Sequence, residues 1–492
     1  MMHEPEKSHS VVVAGEPTNK AAWAVAEPVE PRTGTKGNAD QQSTRRTQDR
    51  ASVSQALERV RQAARQRKKE RFTSLLHHIG PAMLRTAFYA IKRDAAPGVD
   101  GMTWGTYEQD LDRRIEDLYA RVKRGAYRAL PSRRSYIPKE DGSQRPLAVA
   151  GLEDKIVQRA VVAVLSAIYE EDFLGFSYGF RPGRSQHDAL DALIVGISSK
   201  KVNFILDADI RSFFTEVSQE WVVRFLEHRI GDKRIIRLVQ KWLRAGVLED
   251  GIVTVEETGT GQGSVISPLL ANVYLHYVFD LWAARWRRRE AAGDMVIVRY
   301  ADDTVIGFEH EAEARRFWEA MRARLREFSL SLHPAKTRLI EFGRSAAQNR
   351  AKRGLGKPET FKFLGFVLIC GKSRRGGFLI KRTSRRDRMR AKLREIKEEL
   401  RQRWHRPIPD TGTWLGQIVA GYFAYHAVPT NSAALGAFRS HVTVLWYRRL
   451  CRRSQKARLP WPRMAQLADA FLPRPRILHP WPNVRFAVRH PR

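Results

Sequence analysis

Residues 295–308 read Met-Val-Ile-Val-Arg-Tyr-Ala-Asp-Asp-Thr-Val-Ile-Gly-Phe. Two apolar, β-branched runs flank a short polar centre, which predicts a hairpin with Asp302 and Asp303 at its tip. Adjacent carboxylates on a tight turn repel each other and are costly in a fold unless solvent or a cation compensates them. A polar turn between two ordinary strands would have the same composition. A second stretch upstream, Asn203-Phe-Ile-Leu-Asp-Ala-Asp-Ile-Arg-Ser-Phe-Phe214, bears on the choice. On extended backbone Asp207 and Asp209 share one face, while Phe204, Leu206, Ala208 and Ile210 take the other. Strands that together present three carboxylates suit two divalent ions about 3.5–4 Å apart, an arrangement that serves nucleotidyl transfer. The residues alone leave the turn reading and the metal reading both open.

Bulk properties narrow the partners. With 492 residues the chain can build a large core divided into two or three domains. Lysine and arginine number 87 against 53 aspartates and glutamates, a formal charge of +34. Self-repulsion on that scale points to a polyanionic partner. An anionic membrane would attract the same charge, but no apolar run approaches the roughly 18 residues of a membrane span, and no signal-peptide core is present. Cys370 and Cys451 lie far apart and make neither a disulfide framework nor a metal quartet, which is compatible with a reducing cytoplasm.

Along the chain, residues 1–50 are rich in Pro, Glu, Gly, Thr and Gln and read as a disordered leader. From Ser52 the pattern turns helical through Val53, Ala56, Leu57, Val60 and Ala64. Helices are also expected over 75–92, 107–123 and 152–169. Asp141-Gly142 marks a hairpin turn between 136–139 and 145–149, with Lys139 and Arg145 beside it. Arg181 and Arg184 sit in a basic turn, where pairing with local acids is one use for them. Gly259-Thr-Gly-Gln-Gly-Ser264 is an irregular loop without the lysine and spacing of a P-loop. Residues 360–369 are strand-like. A long helix over 385–404 carries Arg390, Lys392, Arg394, Lys397 and Arg401 together with an apolar stripe of Met389, Leu393, Ile396 and Leu400. The tail after Pro473 alternates arginine with aromatic residues and reads as a surface-wrapping segment.

Several blocks carry a resemblance, in this order: Ala96-Pro-Gly-Val-Asp-Gly101, Tyr136-Ile-Pro-Lys139 with Arg145-Pro-Leu147, Ser177-Tyr-Gly-Phe-Arg-Pro-Gly-Arg184, Gln262-Gly263, Ser267-Pro-Leu-Leu-Ala-Asn272, Tyr300-Ala-Asp-Asp303, Leu332-His-Pro-Ala-Lys-Thr337 and Phe363-Leu-Gly-Phe366. From about residue 55 onward the chain resembles the reverse transcriptase/maturase encoded by bacterial group II introns, in its short-tailed form without an endonuclease domain. The resemblance implies an α+β right-hand polymerase, with fingers and an antiparallel palm sheet over 51–375. A helical thumb or maturase domain over 376–472 would follow, then a basic tail over 473–492 as a DNA-binding remnant.

It further implies two Mg²⁺ ions, with Mn²⁺ as a substitute, held by Asp209, Asp302 and Asp303. Asp207 competes for the first-strand position; the spacing from Asp209 to Phe214, the family's aromatic that excludes a 2′-hydroxyl, favours Asp209. Lys139, Arg145, Gln262 and Lys336 would contact the incoming nucleotide, Leu364 and Gly365 would form the primer grip, and Arg181, Arg184, Arg390, Lys397 and Arg401 would hold nucleic acid. Two positions depart from the family pattern: Gly261 stands where proline is usual before the glutamine, and Thr215 where aspartate often follows the paired phenylalanines. Implied partners are group II intron RNA or another RNA template, a DNA primer or target, and deoxynucleoside triphosphates, without a membrane. Homodimerisation is left open, and the location implied is the bacterial cytoplasm, beside the nucleoid when acting on DNA. The alternatives are a splicing-only maturase that keeps a polymerase-shaped body, and a related enzyme recruited to DNA repair or defence.

Overall fold

The computed structural model describes residues 39–138, 144–249, 251–255, 258–261, 263–453 and 459–489. Among them eleven strands run in chain order: β1 (Ser132–Pro138), β2 (Gln144–Val149), β3 (Phe204–Asp209), β4 (Val247–Glu249), β5 (Ile252–Thr254), β6 (Met295–Tyr300), β7 (Asp303–Phe308), β8 (Arg338–Glu341), β9 (Phe361–Phe363), β10 (Phe366–Lys372) and β11 (Phe378–Ser384). They form three sheets, ordered β6-β7-β3-β8, β2-β1-β4-β5 and β11-β10-β9.

The first sheet is antiparallel throughout, and its period-two pattern sorts side chains between two cores. Leu206, Ala208, Ile297 and Ile306 face a cluster completed by Phe317, Met321 and Tyr274. Ile205, Val296, Val298 and Val305 face a second, with Leu190, Leu193 and Ile197 of the Gln186–Ser199 helix. That helix lies close to the sheet because Gly196 has no side chain; a Cβ there would come within 2.7 Å of Val296. Full burial stabilises each such aliphatic side chain by about 1.5–3 kcal/mol. The burial also explains why β6 and β7 are near-continuous apolar runs.

The second sheet holds the expected hairpin, with Ile137 opposite Arg145 and Tyr136 opposite Pro146. Its turn, including Lys139, lies outside the described residues. β1 also pairs in parallel with β4. In the third sheet the single strand expected over 360–369 is two. Phe363 pairs with Phe366, and Leu364 and Gly365 turn between them with φ of 42° and 82°. Positive φ at both central residues is the signature of a two-residue hairpin turn, and the apolar flanks hid it.

Helices complete the molecule. Ala39–Gln66 is one helix, so helical structure begins within the stretch read as leader. Polar residues suffice there because tertiary ion pairs hold them: Asp49 accepts from Arg85 at 2.8 Å and Arg45 lies 3.0 Å from Asp112. At the other end Arg386–Gln402, Ile408–His426, Ser432–Cys451 and Trp461–Phe471 enclose a third core around Leu415, Phe438, Val442 and Trp446. Gly412 and Gly416 let Phe471 against the helix backbone, since a Cβ at either would come within 2.6 Å of it. The tail contains a helix, Pro482–Arg489, and docks through Arg485, whose Nε donates to buried Asp191 at 2.5 Å.

Candidate active site

The β6–β7 hairpin closes on the pair Tyr300–Asp303, leaving Ala301 and Asp302 as its turn. Ala301 has φ of 57°, which suits the primed turns of two-residue hairpins but is strained for a residue with a Cβ. On the neighbouring strand Asp209 lies directly opposite Asp303, and Asp207 opposite Val305. Residues opposite each other in an antiparallel pair share a face. Asp207, Asp209 and Asp303 therefore emerge together, next to Asp302 on the turn.

Electrostatics register the crowding. Asp303 is exposed, yet the protein packed around it first, then Asp302, Asp209 and Asp207, push its pKa up to about 7, against the opposing charge of Arg388. Burial and Asp209 also raise Asp302, opposed by its own backbone N–H, Arg145 and Arg299. Burial raises Asp207 to about 6, although Arg338 stands 3.7 Å away. Lys336 is exposed and places Nζ 3.2 Å from Asp209 Oδ2. Its block also grips the Asp209 backbone, as His333 N–H donates to the Asp209 carbonyl at 2.8 Å. Hard carboxylate oxygens with surplus negative charge fit divalent cations such as Mg²⁺. Among the described residues, however, no three His, Cys, Asp or Glu side chains are arranged to hold an ion as they stand.

The turn is held from beneath by residues that the sequence reading did not single out. Buried Arg299 donates to both Asp280 oxygens at 2.7 and 2.6 Å, to Ser177 Oγ at 2.7 Å, to Asn272 Oδ1 at 3.2 Å and to the Ala301 carbonyl at 2.9 Å. Asn272 Nδ2 in turn donates to the Gly179 carbonyl at 2.7 Å. Gly179 lies so close to the turn that a Cβ there would sit 2.3 Å from Ala301 N. An arginine inside a β-branched strand was the available signal, because a buried charge demands partners. The partners themselves lie far off in sequence.

A loop joins the hairpin sheet to the aromatic pair. Thr260 N–H donates to the Phe214 carbonyl at 2.8 Å and Gly259 N–H to Val217 at 2.7 Å. Gln158 Oε1 accepts from Ser264 Oγ at 2.8 Å and from Val265 N at 3.0 Å. Gly263 packs on Ala148 of β2. Phe213 enters the core, while Phe214 stays half-buried with its ring edge-on at 5.4 Å. Gln262 lies outside the described residues. Gly261 is outside the positive-φ set, and a Cβ there would meet only Ala148 at an ordinary 3.4 Å. Thr215 Oγ1 donates to the Ser212 carbonyl at 2.9 Å.

Other expected contacts divide. Arg181 is buried; it pairs with Glu170 at 2.9 Å and donates to the Leu174 and Ser177 carbonyls at 2.8 Å each. This corrects its assignment to nucleic acid, because its donors are spent inside its own loop. Arg184 likewise donates to the Gly175 carbonyl at 2.7 Å and stacks over Tyr178. Arg145 is exposed on β2. The Leu364 carbonyl accepts from Tyr425 OH at 2.7 Å, tying that turn to the helical bundle. Arg390 and Lys397 are exposed on their helix, whereas exposed Arg401 shares its charge with Glu398 at 2.7 Å.

An antiparallel sheet bearing carboxylates at one end, a second hairpin-bearing sheet and a helical bundle beyond them together define a right-hand polymerase. Residues 137–368 match the family model described as reverse transcriptase (RNA-dependent DNA polymerase). Protein YkfC of Escherichia coli (strain K12) is 32% identical over 312 residues, 57% of this chain and 77% of that protein. Group II intron-encoded protein LtrA of Lactococcus lactis subsp. cremoris is 31% identical over 222 residues, 45% of this chain and 37% of LtrA. An uncharacterized 91 kDa protein in a cob intron of Schizosaccharomyces pombe is 36% identical over 189 residues, 38% of this chain and 23% of its own length. The chain belongs to the reverse transcriptase family, in the branch that includes group II intron-encoded reverse transcriptases and maturases. It spans less than half the length of the last two relatives.

Proposed function

We propose that the protein extends a primer 3′-hydroxyl with deoxynucleoside triphosphates on an RNA template, using Mg²⁺, and that it grips intron RNA to assist splicing and intron mobility. The observation that carries the reading is the strand register setting Asp209 opposite Asp303 beside the Asp302 turn. Asp209, Asp302 and Asp303 would hold the metal ions, with Mn²⁺ as a substitute. Bound there, such ions would activate the attacking hydroxyl and neutralise charge on the leaving pyrophosphate. The protein's own part is to fix the carboxylates on a rigid turn and to supply cations for the triphosphate. Arg145, which acts electrostatically on Asp302, offers a planar fork suited to phosphate oxygens. Lys336 offers a point charge beside Asp209. Phe214, half-buried at the mouth of the same loop, suits a role against the sugar.

The helix Arg386–Gln402 supports the RNA-binding half of the reading. Its exposed Arg390, Arg394 and Lys397 follow one another along one side. No helix among the described residues is long and apolar enough to cross a membrane. A bacterial, nucleoid-associated enzyme would meet both RNA and DNA.

Primer extension tests the catalytic core. Purified protein with an RNA template, a DNA primer and Mg²⁺ is expected to incorporate deoxynucleotides. Asp302→Asn is expected to abolish incorporation while melting stays close to wild type. Extension at the wild-type rate by Asp302→Asn would overturn the metal assignment.

A further inference from the structure

Phe180 is an exposed aromatic in a place where neither the backbone nor the core requires one. Its φ is 60°, a left-handed conformation that is a genuine outlier for a bulky side chain. The residue is 44% exposed and belongs to none of the three apolar clusters. The flanking backbone is fastened on both sides. On one side the Gly179 carbonyl accepts from Asn272 at 2.7 Å, and Gly179 abuts Ala301 of the catalytic turn. On the other side Arg181 anchors the chain to Glu170 and to the carbonyls of Leu174 and Ser177. Glycine would meet the backbone requirement without strain. The ring is thus kept in solvent one residue, about 3.8 Å of chain, from a backbone touching Ala301.

We propose that Phe180 is a stacking platform for a nucleobase of the primer–template at the catalytic turn. This rests on the polymerase reading above. Every base has a π-face, so an exposed residue one position from the Gly179–Ala301 contact can hold any sequence in position without reading it. The buried contacts of Gly179 and Arg181 fix the platform relative to Asp302, so its job is to position the duplex for chemistry.

The test uses an RNA template–DNA primer duplex carrying 2-aminopurine at the template nucleotide to be copied, first without nucleotide and then in extension assays. Phe180→Gly is expected to raise the melting temperature by releasing the strain. It should weaken duplex binding roughly tenfold and lose the stacking-dependent change in 2-aminopurine fluorescence. KM for the duplex should rise more than kcat falls, and Phe180→Tyr should restore binding and fluorescence. If Phe180→Gly binds the duplex as tightly as wild type, with the same fluorescence and KM, the ring is only solvated surface and the proposal is wrong. Should Phe180→Gly fold poorly, Phe180→Asn, which tolerates the left-handed region, takes its place with the same expectations. Wild-type protein that fails to extend any primer would instead sink the polymerase reading itself. Extension by wild type with an indifferent Phe180→Gly would sink this inference alone.

Discussion

On the proposed metal site, Lys336 and a divalent ion would contend for one carboxylate. Its Nζ stands 3.2 Å from Asp209 Oδ2, an oxygen that a divalent ion would also need. The lysine is exposed, so in the proposed reaction it would leave the carboxylate to the ion and carry its charge to the triphosphate. Removing it should therefore act in opposite directions on two ligands. Lys336→Ala is expected to lower the Mg²⁺ concentration for half-maximal extension severalfold. It should raise KM for the nucleotide roughly tenfold, the loss of one hydrogen bond to a charged group. Metal titrations at saturating nucleotide, set beside nucleotide titrations at saturating metal, separate the two. A higher metal requirement in the variant would show that the lysine assists metal binding and does not compete with it. Arg299 stands at the other extreme, fully buried and fully bonded, where loss of one partner leaves a stranded charge.

At the level of elements, the β6–β7 hairpin has a short turn pressed from below by a neighbouring segment. Gly179 is the point of contact, with room for no Cβ between it and Ala301 N. Gly179→Ala must displace the turn, and with it Asp302, although overpacking of this kind costs only about 1–3 kcal/mol of stability. Displacements near 1 Å at reacting groups cost about 100-fold in rate. The expectation is a folded variant whose single-turnover extension is slower by roughly that factor. Melting and single-turnover rates measured on the same preparation check it, and a variant as fast as wild type would mean that the segment merely lies beside the turn. The Leu364–Gly365 turn follows the same design, since its Leu364 carbonyl is held by Tyr425 from the helical bundle.

For the whole molecule, a formal charge of +34 makes binding to any polyanion depend on salt. The helix Arg386–Gln402 concentrates part of that charge, with Arg388 at its start acting electrostatically on Asp303. Replacing Arg390, Lys397 and Arg401 together by alanine should weaken binding of structured RNA and lower the magnitude of the log–log salt slope by about 2. Arg390 and Lys397 should account for most of this, because Arg401 already shares its charge with Glu398. Extension of a saturating, preformed primer–template should survive better than in Asp302→Asn. A salt series of RNA binding beside extension at saturation measures both. An unchanged slope would leave these residues as solvated surface, and an equal loss of extension would mean that the helix seats the duplex for chemistry.

What could be read in advance was whatever depends on local period and local chemistry. Alternation along 203–214 put Asp207 and Asp209 on one face, because side-chain direction in a strand follows from backbone geometry alone, and the apolar runs flanking a polar centre at 295–308 predicted the hairpin. The long amphipathic helices were legible for the same reason at their own period. Three features were not legible. Arg181 is open to pairing with local acids or to holding nucleic acid until Glu170 and its own loop's carbonyls are seen to absorb it. The Leu364-Gly365 turn hides in an apolar run that looks like one strand. The helix from Ala39 has a polar composition that only ion pairs with Arg85 and Asp112 explain. Local sequence determined where each side chain points. The tertiary structure alone decided what it meets, because a charge or strained turn is settled only by what stands opposite it, and sequence order does not say which group that is, whether it lies 11 residues away, as Glu170 does from Arg181, or 67, as Asp112 does from Arg45.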